Sequence, residues 1–167
     1  IGTLFGIGIL SIHENIQNEF DSVKYTVIDP LDGYYGITPR DSHTHEVVNE
    51  ANFWANVEIC AGKKESFELL KHASTDNEAV DCCAQKNYDV LIIDGDHSYA
   101  GLKSDCKNYI QTVKRGGYII IDDYNNPAWP DVAKYIDNEL VNDEKLSLVG
   151  TFRSIGFFKV IARTQKS

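Results

Sequence analysis

A chain of 167 residues with 43% hydrophobic content is long enough to bury one full core, since single domains commonly run to about 100–200 residues. Its 16 basic and 25 acidic residues leave a formal charge of −9 with no Lys/Arg stripe to neutralise phosphates, which argues against a nucleic-acid partner. No apolar stretch approaches the ~20 residues of a membrane span and the N-terminus lacks the charged and apolar regions of a signal peptide, so no membrane association and a cytoplasmic location are expected.

The chain opens on Ile1-Gly2, already at what reads as the end of a strand, and holds no Met. A truncated first strand in a domain cut from a longer polypeptide is the expectation, with the domain over 1–163 and a tail over 164–167. Ile1 to Phe5 reads as strand end and turn, Ile7 to Phe20 as a helix with Ile9, Leu10, Ile12, Ile16 and Phe20 on its buried side, and Lys24 to Ile28 as a strand ending at Asp29-Pro30. Leu31 to Arg40, rich in Gly, Pro and Tyr, is a predicted loop, and Ser42 to Ile59 a predicted helix. A strand over Phe67–Lys71 and a helix from a Thr75 cap to Lys86 follow. Cys60, Cys82, Cys83 and Cys106 form no CxxC pair and are expected to be reduced and without function.

The most informative stretch comes next. Tyr88 to Ile93 and Tyr118 to Ile121 are short apolar, β-branched runs that stop at carboxylates, as strands buried on both faces of a parallel sheet do when they end in polar chemistry. Between them Leu102, Cys106, Tyr109, Ile110 and Val113 recur at helical spacing, completing a β-α-β unit. Ligands in open α/β sheets sit beyond the carboxyl ends of the strands, so Asp94, Asp122 and Asp123 are expected to share a ligand-facing rim. Trp129-Pro130 begins a helix to about Leu140, with Pro in the first turn. Leu146–Thr151 and Ile155–Ile161 form a hairpin around Arg153-Ser154, which leaves no room for a crossover helix and makes the last strand antiparallel. The predicted class is α/β: a Rossmann-like, doubly wound, mostly parallel sheet with an antiparallel C-terminal hairpin strand.

Gly2, Gly6 and Gly8 lie between strand and helix, where missing side chains let backbone approach a ligand and the helix start offers free N–H groups. Asp29 follows about 20 residues later at the end of the second strand, where a carboxylate can accept both hydroxyls of a ribose. Together they indicate an adenosine cofactor. The glycine spacing, with Tyr99 and Lys103 as a Tyr-x-x-x-Lys, also fits NAD(P)-dependent short-chain dehydrogenases. That family places its tyrosine one helix later and lacks a terminal antiparallel hairpin, so Tyr99 and Lys103 read as helix-surface residues.

Ile-Gly-Thr-x-x-Gly after a strand, Asp29 after the second, Asp94-Gly95-Asp96-His97-Ser98-Tyr99 after the fourth, Gly116-Gly117-x-Ile-Ile-Ile-Asp122-Asp123 for the fifth and a closing hairpin resemble a class I S-adenosylmethionine-dependent methyltransferase. The likeness spans nearly the whole chain and is greatest to small-molecule O-methyltransferases of the catechol and macrocin or rhamnosyl types. It implies that Gly2, Thr3 and Gly6 line the cofactor's methionine half, that Asp29 takes the ribose and Ala73-Ser74 the adenine, with Gly8 and Asp94 also beside the cofactor. It further implies that Asp94, Asp122 and Asp123 bind a divalent cation. Independently, three carboxylates at one rim repel and raise one another's pKa unless a hard, oxygen-preferring cation such as Mg2+ sits among them. Capping by Asp122 or Asp123 and a turn bond from Asp94 are the alternative roles.

The implied reaction is methyl transfer to a hydroxyl of a small molecule, with Asp94 on the metal and His97 as candidate proton acceptor. A non-catalytic, cofactor-binding domain of a larger protein is the other reading. Tyr34, Tyr35, Tyr124 and Trp129 are candidates for an apolar acceptor wall, and His43-Thr44-His45 reads as a solvated loop.

Overall fold

The computed structural model describes residues 1–33, 37–41 and 44–162. They form two compact units, one over Gly2–Ala73 and one from Ser74 onward that includes Ile1.

The first unit holds helix α1 (Ile7–Ile16), strand β1 (Tyr25–Ile28), helix α2 (Glu50–Cys60) and strand β2 (Phe67–Leu70). β1 and β2 pair in parallel, Tyr25 opposite Phe67 and Ile28 opposite Leu70. Helix α1 ends four residues before the predicted Phe20, whose ring stays exposed, so a longer helix would bury nothing more. Helix α2 also starts later than expected. Residues 37–41 and 44–48 are irregular, tied by an Arg40–Val47 bridge and by Asp41, whose Oδ1 accepts from both the backbone N and Oγ1 of Thr44 at 2.7 Å. The helix begins where Asn49 caps it by accepting from the Asn52 N–H at 2.8 Å. Phe5, Leu10, Val27, Phe53 and Val57 pack into one core with the stacked rings of Tyr25 and Phe67. Each such burial is worth about 1.5–3 kcal/mol. Buried His13 joins them, its Nδ1 3.0 Å from the Tyr25 hydroxyl.

In the second unit, helix α3 (Asn77–Ala84) precedes strand β3 (Tyr88–Ile93), helix α4 (Tyr99–Tyr109) and strand β4 (Val113–Ile121). Helix α5 (Pro130–Tyr135) runs into a π-helical turn over Ile136–Leu140, and strands β5 (Leu146–Phe152) and β6 (Ile155–Val160) close the unit. The strand order is β3-β4-β6-β5, with β3 and β4 parallel and both pairings of β6 antiparallel. The α/β class and the closing antiparallel hairpin are as the sequence predicts.

The strands are assigned to two sheets, one in each unit, within the predicted Rossmann-like α/β class. Ile1 to Phe5, read as a strand end and turn, contributes no strand to either. Only Ile1 is extended, its amino group donating to Ile92 O and its carbonyl accepting from Asp94 N, and Gly2 at φ 73° turns the chain away. One residue is too short to carry a ladder.

Leu91, Ile93, Ile119, Ile121 and Phe158 line the buried face of the larger sheet. Buried Leu102, Cys106 and Tyr109 lie on one side of α4, as their i, i+4, i+7 spacing requires. Register shifts interrupt the β3–β4 pairing between Tyr88 and Val90 and the β5–β6 pairing between Leu148 and Gly150. All four cysteines are free thiols, and burial pushes Cys106 up to about 12. Among the described residues no helix is long and apolar enough to cross a membrane.

Candidate functional site

The glycine turn of the first unit is built around Asp29. Its Oδ2 accepts from the N–H groups of Thr3 (2.7 Å) and Leu4 (2.9 Å), and its Oδ1 from Leu31 N–H (2.9 Å). Leu4 at φ 53° and Gly6 at φ 96° bend the segment so that these donors converge. A carboxylate offers about four lone-pair sites, so roughly one remains for a ligand. Thr3 Oγ1 is buried in the same turn with no hydrogen-bond partner among the described residues, an orphaned hydroxyl of the kind that a bound polar molecule satisfies. Gly6 is needed for its backbone angle. Gly8 is exposed in the first turn of α1, where an added Cβ would meet open space. Ala73 and Ser74 are half-buried after β2, and the Ser74 carbonyl accepts from the Tyr109 hydroxyl at 2.6 Å.

The second unit assembles an acidic rim. Asp94 directly follows β3 and Asp122 and Asp123 follow β4; the two strands are parallel neighbours, so their carboxyl ends coincide. His97 lies between these groups, Nε2 3.0 Å from Asp123 Oδ2 and 3.5 Å from Asp94 Oδ1. Ligand atoms of Asp94, His97 and Asp123 all fall within 4.8 Å of one another. This trio differs from the predicted Asp94, Asp122 and Asp123. Asp122 has turned one oxygen onto the backbone, its Oδ1 accepting from Asp123 N–H at 2.8 Å, which is the capping alternative the sequence left open.

Charge is concentrated there. Burial pulls the His97 imidazolium down, but its hydrogen bond to Asp94 and the fields of Asp123, Asp94 and Asp122 outweigh it and raise its pKa overall. Asp122 is also raised, first by burial and then by Asp94 and Asp123, against the pull of the Asp123 N–H and of His97. Two carboxylates and an imidazole this close suit either a shared proton or a divalent cation. No ligand is needed to hold the imidazole's plane, because the Trp129 ring stacks on His97 at 4.8 Å between centroids and 21° between planes.

The loop from β3 into α4 is fixed independently. Asp96 Oδ1 accepts from Ser98 N–H, Ser98 Oγ caps Gly101 N–H, and the Asp96 side chain lies so close over Gly101 that a Cβ there would fall 2.3 Å from it. Glycine is therefore obligatory at 101. Asp105, on the buried side of α4, has neither oxygen hydrogen-bonded among the described residues, and Oδ2 lies 3.5 Å from where a Gly95 Cβ would be. Burial pushes its carboxyl up, with the Ser74 side chain pulling the other way.

Of the predicted acceptor wall, Trp129 stands against His97, whereas Tyr124 is buried and donates its hydroxyl to Asp137 at 2.7 Å. That bond and burial push the Tyr124 phenol up. Tyr34, Tyr35, His43 and the 164–167 tail lie outside the described residues. Tyr99 and Lys103 are on the surface of α4 and both reach Glu139, in keeping with their structural reading. Sequence reasoning missed Asn126, whose Nδ2 donates to Asp123 Oδ1 at 2.6 Å. The Asp-x-x-Asn spacing before Pro127 was the available signal.

A family model described as a methyltransferase domain matches residues 1–124. The chain is 40% identical over 55 residues to the uncharacterized protein R132 of Acanthamoeba polyphaga mimivirus, a match covering 33% of this chain and only 25% of that protein. Among solved structures it is similar to the O-methyltransferase NovP, with a TM-score of 0.71, 20% identity and coverage of 97% of this chain and 69% of that one. It is similar also to the calicheamicin methyltransferase CalS11, at TM-score 0.64 and 12% identity over 95% and 69% of the two chains. A third, the mycinamycin-pathway methyltransferase MycE in complex with Mg, SAH and mycinamycin VI, matches at TM-score 0.51 and 15% identity, covering 96% of this chain and 50% of that one. At these identities the likenesses establish a shared fold.

Proposed function

The chain belongs to the methyltransferase-domain family, and on that premise we propose that it transfers a methyl group from S-adenosylmethionine to a hydroxyl of a small molecule with the assistance of Mg2+. The observation that carries the acceptor half is the convergence of Asp94, His97 and Asp123 at the ends of two parallel strands. The magnesium assignment draws on the carboxylate-rich donor set and on the Mg found in MycE. The glycine turn supports the cofactor half: it offers Gly2, Thr3 and Gly6, a Thr3 hydroxyl with no partner among the described residues and the remaining acceptor site of Asp29.

Asp94 and Asp123 would hold the cation, with Asp122 beside them. Bound there, a divalent ion supplies positive charge that orients a hydroxyl and lowers its pKa. His97 would accept the hydroxyl proton, with the Asp123 carboxylate beside its Nε2 stabilising the imidazolium that results. Trp129 keeps the imidazole from rotating out of line. S-adenosylmethionine held at the glycine turn would supply an electrophilic methyl group, its sulfonium becoming the neutral thioether of S-adenosylhomocysteine as the methyl passes to the deprotonated hydroxyl. Asp29 acts chiefly by holding the turn in shape, with its free lone pair directed to the ribose.

Calorimetry with S-adenosylmethionine and with NAD, followed by a chromatographic assay for S-adenosylhomocysteine released from catechol and sugar acceptors with and without EDTA, tests this reading. Binding of S-adenosylmethionine alone and EDTA-sensitive release are expected. Tight NAD binding, or no release with any hydroxyl acceptor, overturns it.

A further inference from the structure

The chain leaves β4 through an unusual pair of conformations. Asp123 at φ 58° and Asn125 at φ 65° are both left-handed, and Tyr124 lies between them. Asp and Asn tolerate that region better than other side chains, for which it costs roughly 1–2 kcal/mol per residue. The turn's own side-chain bonds, Asp123 N–H to Asp122 Oδ1 and Asn126 Nδ2 to Asp123 Oδ1, lie within Asp122–Asn126. The Asp122 N–H donates to Ile93 O and ties the start of the turn to β3, but these bonds do not anchor the residues beyond it to the sheet.

Tyr124 supplies the anchor. Its ring lies against Gly156 of β6 so closely that a Cβ there would be 3.1 Å from it, and its hydroxyl donates to Asp137 at 2.7 Å. Asp137 belongs to the π-helical turn after α5, whose Ile136 and Leu140 are buried in the core. Such turns are rare and recur at functional positions. The hydrogen bond therefore ties the residue after Asp123 to an exposed side chain 13 residues on, in a turn that Ile136 and Leu140 seat in the core.

We propose that Tyr124 and Asp137 are positioning residues for the cation centre: their hydrogen bond locks the left-handed turn that sets Asp123 against Asp94 and His97. This rests on the reading of Asp94 and Asp123 as cation ligands. It assigns a role in binding to residues that touch neither cation nor substrate. A purely structural bond would lower stability and leave metal affinity alone, so affinity is the discriminating quantity.

The experiment titrates Mn2+, as a calorimetric probe, into the whole chain carrying Tyr124→Phe, Asp137→Ala, Asp137→Asn or both of the first two changes, beside wild type and Asp94→Asn. Outer partners of metal ligands typically contribute about 10–100-fold to affinity, so Tyr124→Phe and Asp137→Ala are each expected to raise the Mn2+ Kd about tenfold. The double variant should bind no more weakly than either single one, because both remove the same bond. Asp137→Asn should stay near wild type, its amide oxygen still accepting from the phenol. A Kd within twofold of wild type for Tyr124→Phe, with only the metal-free melting temperature lowered, overturns the positioning role while the cation reading stands. Absence of Mn2+ binding in wild type, or binding that survives Asp94→Asn, overturns the cation reading and the proposal with it.

Discussion

Asp29 and Asp94 both stand immediately after a parallel strand, yet their surroundings are opposite. Asp29 is buried and accepts from three backbone N–H groups, whereas Asp94 is nearly half exposed and faces an imidazole and two more carboxylates. The first arrangement stabilises the anion by local donors and holds a turn together. The second crowds like charges that nothing local neutralises beyond one histidine. A carboxylate at a strand end is thus structural or chemical according to who supplies the compensating positive charge.

The contrast breaks most readily at Asp29. Asp29→Ala strands three N–H groups, two of the bonds being buried, and a loss of about 3 kcal/mol in urea unfolding is expected. A loss under about 1 kcal/mol would mean the turn is self-supporting. At the acidic rim the expected effect is conditional on metal. Mg2+ at a hundred times its Kd should stabilise wild type by about 2.7 kcal/mol in thermal unfolding, and Asp94→Asn or Asp123→Asn should remove that increment while leaving metal-free stability nearly unchanged. A variant that kept the full increment would exclude its residue from the cation centre.

A third carboxylate sharpens the comparison with a smaller effect. Asp105 is buried, and burial raises its pKa above the ordinary 3.8 against the weaker pull of the Ser74 side chain and the N-terminal ammonium. The folded chain therefore holds that proton more tightly than the unfolded chain, so stability falls as pH climbs from about 3.8 through the raised value and stays lowered above it. Asp105→Asn should be more stable than wild type at pH 7 by about 1 kcal/mol, the gain shrinking as pH drops toward 4. Paired pH-dependent melting curves check this. An Asn variant less stable at pH 7 would place a donor on the anion.

Much of this was legible because strands that end in chemistry announce themselves. The β-branched runs before Asp94 and Asp122 pair in parallel as read, and the hairpin around Arg153-Ser154 is where its length requires. The late start of α2 was not legible, since the Asp41–Thr44 bonds and the Arg40–Val47 bridge that replace its first turns depend on side-chain choices periodicity ignores. At the rim, residue types and strand ends pointed to Asp94, Asp122 and Asp123, with His97 beside them. Which way Asp122 turned, and the stacking of Trp129 on His97, follow from packing between segments far apart in sequence.

Strand β5 is paired on one side only within its sheet and carries the exposed apolar side chains of Leu148, Val149 and Phe152. A flat strand of this kind is a template for a second chain to add to, and so a route to aggregation. The register shift between Leu148 and Gly150 breaks the even spacing of its outward N–H and C=O groups at mid-strand. An incoming strand would find short, out-of-phase runs in place of a continuous ladder. The irregularity that looks like a flaw in the hairpin thus protects the molecule's solubility where its surface is most adhesive.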